Sequence, residues 1–214
     1  MSKIQQREVT IKTPDAQLDG EAWLPTGAPG IVLFAHGSGS SRFSTRNRYV
    51  AGELARGGIG TLLFDLLTPE EEVRDAIDRS LRFDIALLTQ RLVGATRWLV
   101  REDWAKSLTI GYFGASTGAA AALAASVECD VQAVVSRGGR PDLAGAALAR
   151  VTAPTLLIAG SHDPVVVDLN RQALAQLGCE AKLEIVPGAT HLFEEPGTLE
   201  QVARLASNWF QRWL

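Results

Sequence analysis

Residues 110–126 read IGYFGASTGAAAALAAS. An apolar run gives way to a knot of small residues, GASTG at 114–118, and an alanine-rich segment follows. That is the pattern of a strand, a tight turn and a helix, with Ser116 on the turn. Two readings compete. Ser116 caps the helix with its hydroxyl, or the turn is built to expose that hydroxyl as a nucleophile. The pentapeptide fits G-x-S-x-G, a motif that needs a sharp strand-to-helix turn with glycines on either side so that strand and helix can approach closely. A helix starting there also points its positive end at the site. The five residues alone do not separate the two readings, so the argument moves outward.

The run at 110 belongs to a series. GIVLFAH (30–36), GTLLFDL (60–66), LTIGYFG (108–114), VQAVVSR (131–137), PTLLIAG (154–160) and KLEIVPG (182–188) are short and nearly continuously apolar. Strands buried on both faces of a parallel sheet read this way. Helical spacing of apolar residues lies between them, over 45–56, 82–101, 116–127, 167–177 and 198–213. TPEEE at 68–72 adds a helix start, with Thr68 as cap, Pro69 in the first turn and Glu71 three residues after the cap. Residues 6–13 and 17–24 alternate apolar and polar instead, as an antiparallel pair with one wet face does. The expected fold is α/β: a doubly wound, mostly parallel sheet of about eight strands, an antiparallel N-terminal edge and helices on both faces. The connection at 138–153 is too short for a large lid, and 1–214 reads as a single domain.

Whole-chain properties narrow the function classes. The chain has 214 residues, 21% of them charged, and a net charge of -3. No global field recruits nucleic acid or an anionic membrane, so neither is an expected partner. Cys129 and Cys179 have no metal-ligand spacing and form no disulfide framework. No apolar run approaches the roughly 20 residues that span a bilayer. MSKIQQREVTIKT lacks the apolar core of a signal peptide. The expectation is a cytoplasmic protein.

In such a sheet, ligands bind beyond the carboxyl ends of the strands. Ser116 follows the fifth strand, SHDP (161–164) the seventh, and GATH (188–191) the eighth. The order nucleophile, acid, histidine is the one an α/β-hydrolase sheet produces, and Ser116, Asp163 and His191 satisfy it. Asp142, Asp65 and Glu194 are rival acids. His36 and His162 are the other histidines, and His162 reads as a bystander rather than the base, because a neighbour in sequence such as Asp163 usually points elsewhere. The oxyanion donors expected are the N–H groups of Thr117 and of Ser38, within the loop HGSGSS (36–41) after the third strand. Gly37 or Gly39 could substitute. The phosphate-binding patterns G-x-x-x-x-G-K-[ST] and G-x-G-x-x-G are absent, as is H-E-x-x-H. No cofactor and no metal is called for. A basic rim completes the ligand side. Arg42, Arg46 and Arg48 follow the glycine loop, and Arg137 and Arg140 flank two glycines. Arg42, Arg137 and Arg140, with Gly37 and Gly39, are the candidate substrate-binding residues, suited to an anionic small-molecule ester.

HGSGSS, GYFGASTG, GSHDPVV and PGATHLFEEPG together resemble the α/β-hydrolase superfamily, and the lidless build resembles its dienelactone hydrolase-like branch. The resemblance covers the chain from Gly30 onward. It implies ester or related acyl hydrolysis through a covalent acyl-enzyme, without a cofactor. Dienelactone hydrolases proper use a cysteine where this chain has Ser116, which separates the family name from dienelactone as substrate. The alternatives are an acyltransferase or perhydrolase using the same serine, and a non-catalytic binding protein on the same scaffold.

Overall fold

A computed structural model describes residues 3–214. One sheet of eight strands runs through the molecule, in the order β1-β2-β4-β3-β5-β6-β7-β8. The first pair, β1 (Ile4–Lys12) and β2 (Gln17–Pro25), is antiparallel, and β2 joins β4 (Gly60–Phe64) in the same sense. From β4 onward every pairing is parallel: β3 (Gly30–Ala35), β5 (Thr109–Ala115), β6 (Ala133–Arg137), β7 (Thr155–Gly160) and β8 (Ala181–Val186). The chain goes from β3 to β4 on one side and from there to β5 on the other. The strand order therefore reverses at β3, and a crevice opens past the carboxyl ends of β3 and β5.

Helices cover both faces. α1 (Thr45–Arg56) and α6 (Thr198–Trp213) pack on one, around Phe34, Phe113, Val135 and Phe210. α3 (Ile85–Leu99), α4 (Thr117–Ala125) and α5 (Pro164–Leu174) lie on the other, where Leu33, Leu62, Leu92, Tyr112, Leu123 and Ala173 meet. Every residue of β3, β4, β6 and β7 is buried, as the continuous apolar runs require. β8 differs from its expected double burial. It is an edge strand with mostly half-buried or exposed residues, including a Lys182–Glu184 ion pair at 2.5 Å that suits an unpaired edge.

α2 (Pro69–Asp78) carries the expected capping box, with Thr68 and Glu71 bonded reciprocally. Its one buried residue is Asp75. That carboxylate accepts from the N–H groups of Leu81 at 2.8 Å and Arg82 at 3.0 Å, and from Arg82 Nε at 2.5 Å. Glu71 of α2 also holds the buried Arg91 at 2.6 Å. Polar bonds rather than an apolar face tie this helix down. Within 138–153, Pro141–Arg150 forms short 3-10 turns with a break at Gly145 (φ 54°), and the segment builds no lid.

The turn from β5 into α4 is closely packed on both sides. A Cβ on Gly114 would lie 2.4 Å from Ala119 Cα, and one on Gly118 would lie 2.2 Å from the Ala35 carbonyl oxygen and 2.4 Å from that of His36. These obstacles are backbone and do not swing aside. Gly118→Ala is therefore expected to cost about 3 kcal/mol or more. Chemical denaturation of the variant beside wild type measures it, with a lower midpoint and an unchanged slope.

Candidate active site

The site is assembled at the ends of four strands. β5 delivers Ser116 with φ 51° and ψ -119°, a conformation that non-glycine residues rarely adopt. Ser116 stands at the cap position of α4, yet its side chain makes no capping bond. Among the described residues its hydroxyl has no hydrogen-bond partner. β7 delivers Asp163, which opens α5 without capping it. Its Oδ2 instead accepts a hydrogen bond from His191 Nδ1 at 2.7 Å. With Nδ1 as the donor, Nε2 of His191 is left with its lone pair. Ser116 and His191 line one pocket of about 190 Å³, together with Gly37, Ser38, Ser40, Ser44, Arg46, Asn47, Ala115, Arg137 and Leu192.

The rival acids are occupied by arginines. Asp142 takes both forks of Arg140, at 2.9 and 2.7 Å. Asp65 takes Arg42, and Glu194 takes Arg46 at 3.1 Å. His162 is exposed, and its backbone N–H donates to Ala189.

The loop after β3 comes directly against the serine: a Cβ on Gly37 would lie 3.2 Å from Ser116 Cβ. No described acceptor takes the N–H of Ser38 or of Thr117. For Thr117 this is the ordinary state of a first-turn amide. For Ser38 it follows from His36, whose role the sequence did not reveal. His36 is 6% exposed. Its Nδ1 donates to the Gly37 carbonyl at 3.0 Å, and its Nε2 accepts from the N–H of Leu66, also at 3.0 Å. The N–H of Ser40 adds a second bond to the same carbonyl, at 3.2 Å. In a trans peptide the C=O and the following N–H point opposite ways. Fixing the Gly37 carbonyl on His36 and Ser40 therefore turns the Ser38 N–H away from them.

The expected substrate-binding residues divide. Gly37 and Arg137 line the serine pocket. Arg42 does not: both its backbone N–H, at 2.7 Å, and its guanidinium are bound to Asp65. Arg140 is likewise drawn off by Asp142, and Gly39 faces a neighbouring cavity of about 440 Å³ across the 37–44 loop. Arg48 pairs with Glu21 at 2.5 Å. Arg137 is 7% exposed and, among the described residues, has no carboxylate partner. Burial, with the charge of Arg46 beside it, pushes its guanidinium down to about 10. Ser44 and Asn47 also reach the pocket. The sequence marked that turn only as a helix start.

Cys129 and Cys179 are free thiols, both pushed up by burial. Among the described residues no group of three or more His, Cys, Asp or Glu is arranged to hold a metal ion. Among the described residues no helix is long and apolar enough to cross a membrane.

Strand order, the serine turn and the placement of acid and histidine define the α/β-hydrolase fold. Within that class the chain belongs to the dienelactone hydrolase family, which it matches over residues 18–214. A dienelactone hydrolase from Anabaena variabilis is 57% identical, with 99% of each chain covered and a TM-score of 0.97. An α/β serine hydrolase without lid from Xanthomonas campestris shares the fold at 20% identity and a TM-score of 0.78, over 98% of this chain and 95% of that one. A Mycobacterium tuberculosis protein named "Putative phosphoribosyl transferase" is 56% identical over 209 residues, 97% of this chain. The chain spans 46% of that relative's length.

Burial lowers the His36 proton affinity from its ordinary value of 6.5, and the hydrogen bond to Gly37 opposes the shift. The unfolded chain thus takes up the proton first as pH falls. The contribution of His36 to stability is whole above about pH 6.5 and is lost as pH drops through the lower folded value. Melting temperatures between about pH 8 and pH 5 should fall less steeply for His36→Asn than for wild type.

Proposed function

We propose that the protein is a serine hydrolase that cleaves a small carboxylic ester, or a related acyl bond, through Ser116, His191 and Asp163. One observation carries the reading. A serine hydroxyl with no hydrogen-bond partner among the described residues, on a backbone turn held at positive φ, shares a small pocket with a histidine whose Nδ1 is fixed on a half-buried carboxylate.

The chemistry follows from that arrangement. His191 Nε2 takes the Ser116 proton as Oγ attacks the acyl carbon. The carbonyl oxygen gains the negative charge, and the N–H groups of Ser38 and Thr117 hold it. The tetrahedral intermediate collapses, His191 returns the proton to the leaving oxygen, and the alcohol departs. Water then attacks the acyl-enzyme, giving its proton to His191. The second collapse frees the acid and returns the proton to Ser116. Asp163 keeps the imidazole in the tautomer that can accept, and stabilises the imidazolium while it lasts. Hydrogen bonds of such sites often tighten only when substrate is bound, which fits a Ser116 hydroxyl that is unbonded here. The transferase name of the mycobacterial relative belongs to a protein about twice as long, and this chain's own family match is to hydrolases.

A fluorophosphonate should label Ser116 covalently, and the adduct should vanish in Ser116→Ala. With p-nitrophenyl acetate, Ser116→Ala and His191→Ala should each lower kcat/KM by about four orders of magnitude or more. Asp163→Asn should lose about 10⁴-fold in kcat through the wrong tautomer, with the fold intact by circular dichroism. Wild-type turnover in Ser116→Ala overturns the assignment.

A further inference from the structure

Arginines crowd the carboxyl-end rim of the sheet, and nearly all are neutralised there. Arg42 has Asp65, Arg46 has Glu194, Arg48 has Glu21 and Arg140 has Asp142. Arg137, the last residue of β6, has none of these. Its Nη2 reaches Asn47 Oδ1 only at 3.5 Å, and its Nε has no partner among the described residues. The face of Phe193 lies 5.9 Å from its guanidinium carbon. A buried guanidinium with unfilled donors is costly to keep, and removing its need for a counter-charge would be easy. Methionine or leucine would fill the same space without that cost.

A second observation points the same way. The pocket that Arg137 lines is also where α1, a helix of 12 residues, begins. Its cap residue Ser44 and its first-turn residues Arg46 and Asn47 face the same space. Ser44 Oγ accepts from the Asn47 N–H, which leaves the hydroxyl proton free to donate. The N–H groups of Thr45 and Arg46 have no described acceptor. A helix N-terminus with open amides favours an anion. Here it converges with an unpaired guanidinium, an arginine half-neutralised by Glu194, and a free hydroxyl. No carboxylate lines that pocket.

We infer that Arg137 and the first turn of α1 form an oxyanion subsite beside Ser116, which holds a phosphate or carboxylate group carried by the substrate. This rests on the hydrolase reading for the word substrate, but the binding site itself does not. In about 190 Å³ the anion sits within a few atoms of the scissile bond. The fork of Arg137 selects planar or tetrahedral oxyanions over other charges. The larger cavity across the 37–44 loop, with Leu66, Leu67 and Leu88 in its wall, receives the remainder of the ester.

Inorganic phosphate is the probe, and calorimetry and melting temperature are the readouts. They are measured on wild type, Ser116→Ala, Arg137→Gln and Arg137→Lys. Phosphate should bind wild type and Ser116→Ala alike and raise the melting temperature of both. Arg137→Gln should bind at least about tenfold more weakly, and Arg137→Lys should fall between. Without phosphate, Arg137→Gln should melt no lower than wild type, because an uncompensated buried charge has gone. In turnover, kcat/KM for p-nitrophenyl hemisuccinate relative to p-nitrophenyl butyrate should drop at least about tenfold in Arg137→Gln. A phosphorylated ester of matched size, compared in the same way, separates phosphate from carboxylate as the favoured group. Phosphate affinity unchanged in Arg137→Gln, or an unchanged ratio for both anionic esters, overturns the subsite. Failure of the hydrolase reading would look different: turnover would survive Ser116→Ala while phosphate binding kept its dependence on Arg137.

Discussion

The site depends on one close approach. The first turn of α4 lies so near the end of β3 that position 118 has no room for a methyl group beside the carbonyls of Ala35 and His36. Gly114 meets α4 in the same way from the β5 side. A helix entering that closely must leave the strand through a sharp reversal, and Ser116 absorbs it at φ 51°. Strain of this kind costs of order 1–3 kcal/mol and survives only where surrounding packing over-determines it. The alanines supply that packing. α4 reads TGAAAALAA and is buried almost throughout, so small side chains let it lie against β3, β5 and β6 at once. The hydroxyl is then held off its own helix, because the backbone that would let it cap is not the backbone the turn imposes.

The same contact fixes the partners of the serine. The end of β3 is the anvil for Gly118, so the residues leaving β3 must turn away at once. They do so as Gly37 and Ser38, alongside Ser116. His36 then makes a rigid object of what looks like a flexible glycine-serine loop. It bonds the Gly37 carbonyl on one side and the Leu66 amide on the other, which ties the loop to the chain leaving β4. The imidazole can do both only when neutral, with one nitrogen donating and the other accepting. Burial enforces that state. A histidine that might have served as a base is thereby committed to holding an amide in place.

What the sequence made legible follows from where the information is local. Doubly buried strands show as apolar runs, and turns at their ends show as small residues. The strand-end positions of Ser116, Asp163 and His191 could therefore be read in order. The capping box at Thr68 and Glu71 is local in the same way. Strand order is not local, so nothing in KLEIVPG announced that β8 lies at an edge. The arginines fail for a related reason. Arg42 lies in the loop after β3 and Arg137 ends β6, and on paper both simply belong to the ligand side. Which one is free depends on Asp65, which comes from another strand and lies in reach of Arg42 alone. Asn47 and Ser44 were hidden because a helix start is common and only the fold aims this one at the serine.

Charge around the site is likewise a matter of arrangement. The 37–44 loop divides the ligand side into two spaces of opposite character. On one side lie Arg137 and Arg46 with the start of α1. On the other lie Glu72, Asp75 and Arg82, with Asp65 close enough to be felt. Partial desolvation, then the charge of Asp65, raises the Glu72 carboxyl above its usual value, and Arg42 opposes the shift. Between them stand the open amides of Ser38 and Thr117, which the proposed reaction assigns to an oxyanion. In that proposal, charge developing on the oxygen is drawn toward the basic side as well as toward the amides, in a partly dry crevice that screens both attractions little. The chain's net charge of -3 describes neither space. Around the rim Arg42, Arg46, Arg48 and Arg140 are paired with carboxylates, and Arg137, which has no carboxylate partner among the described residues, faces the serine pocket.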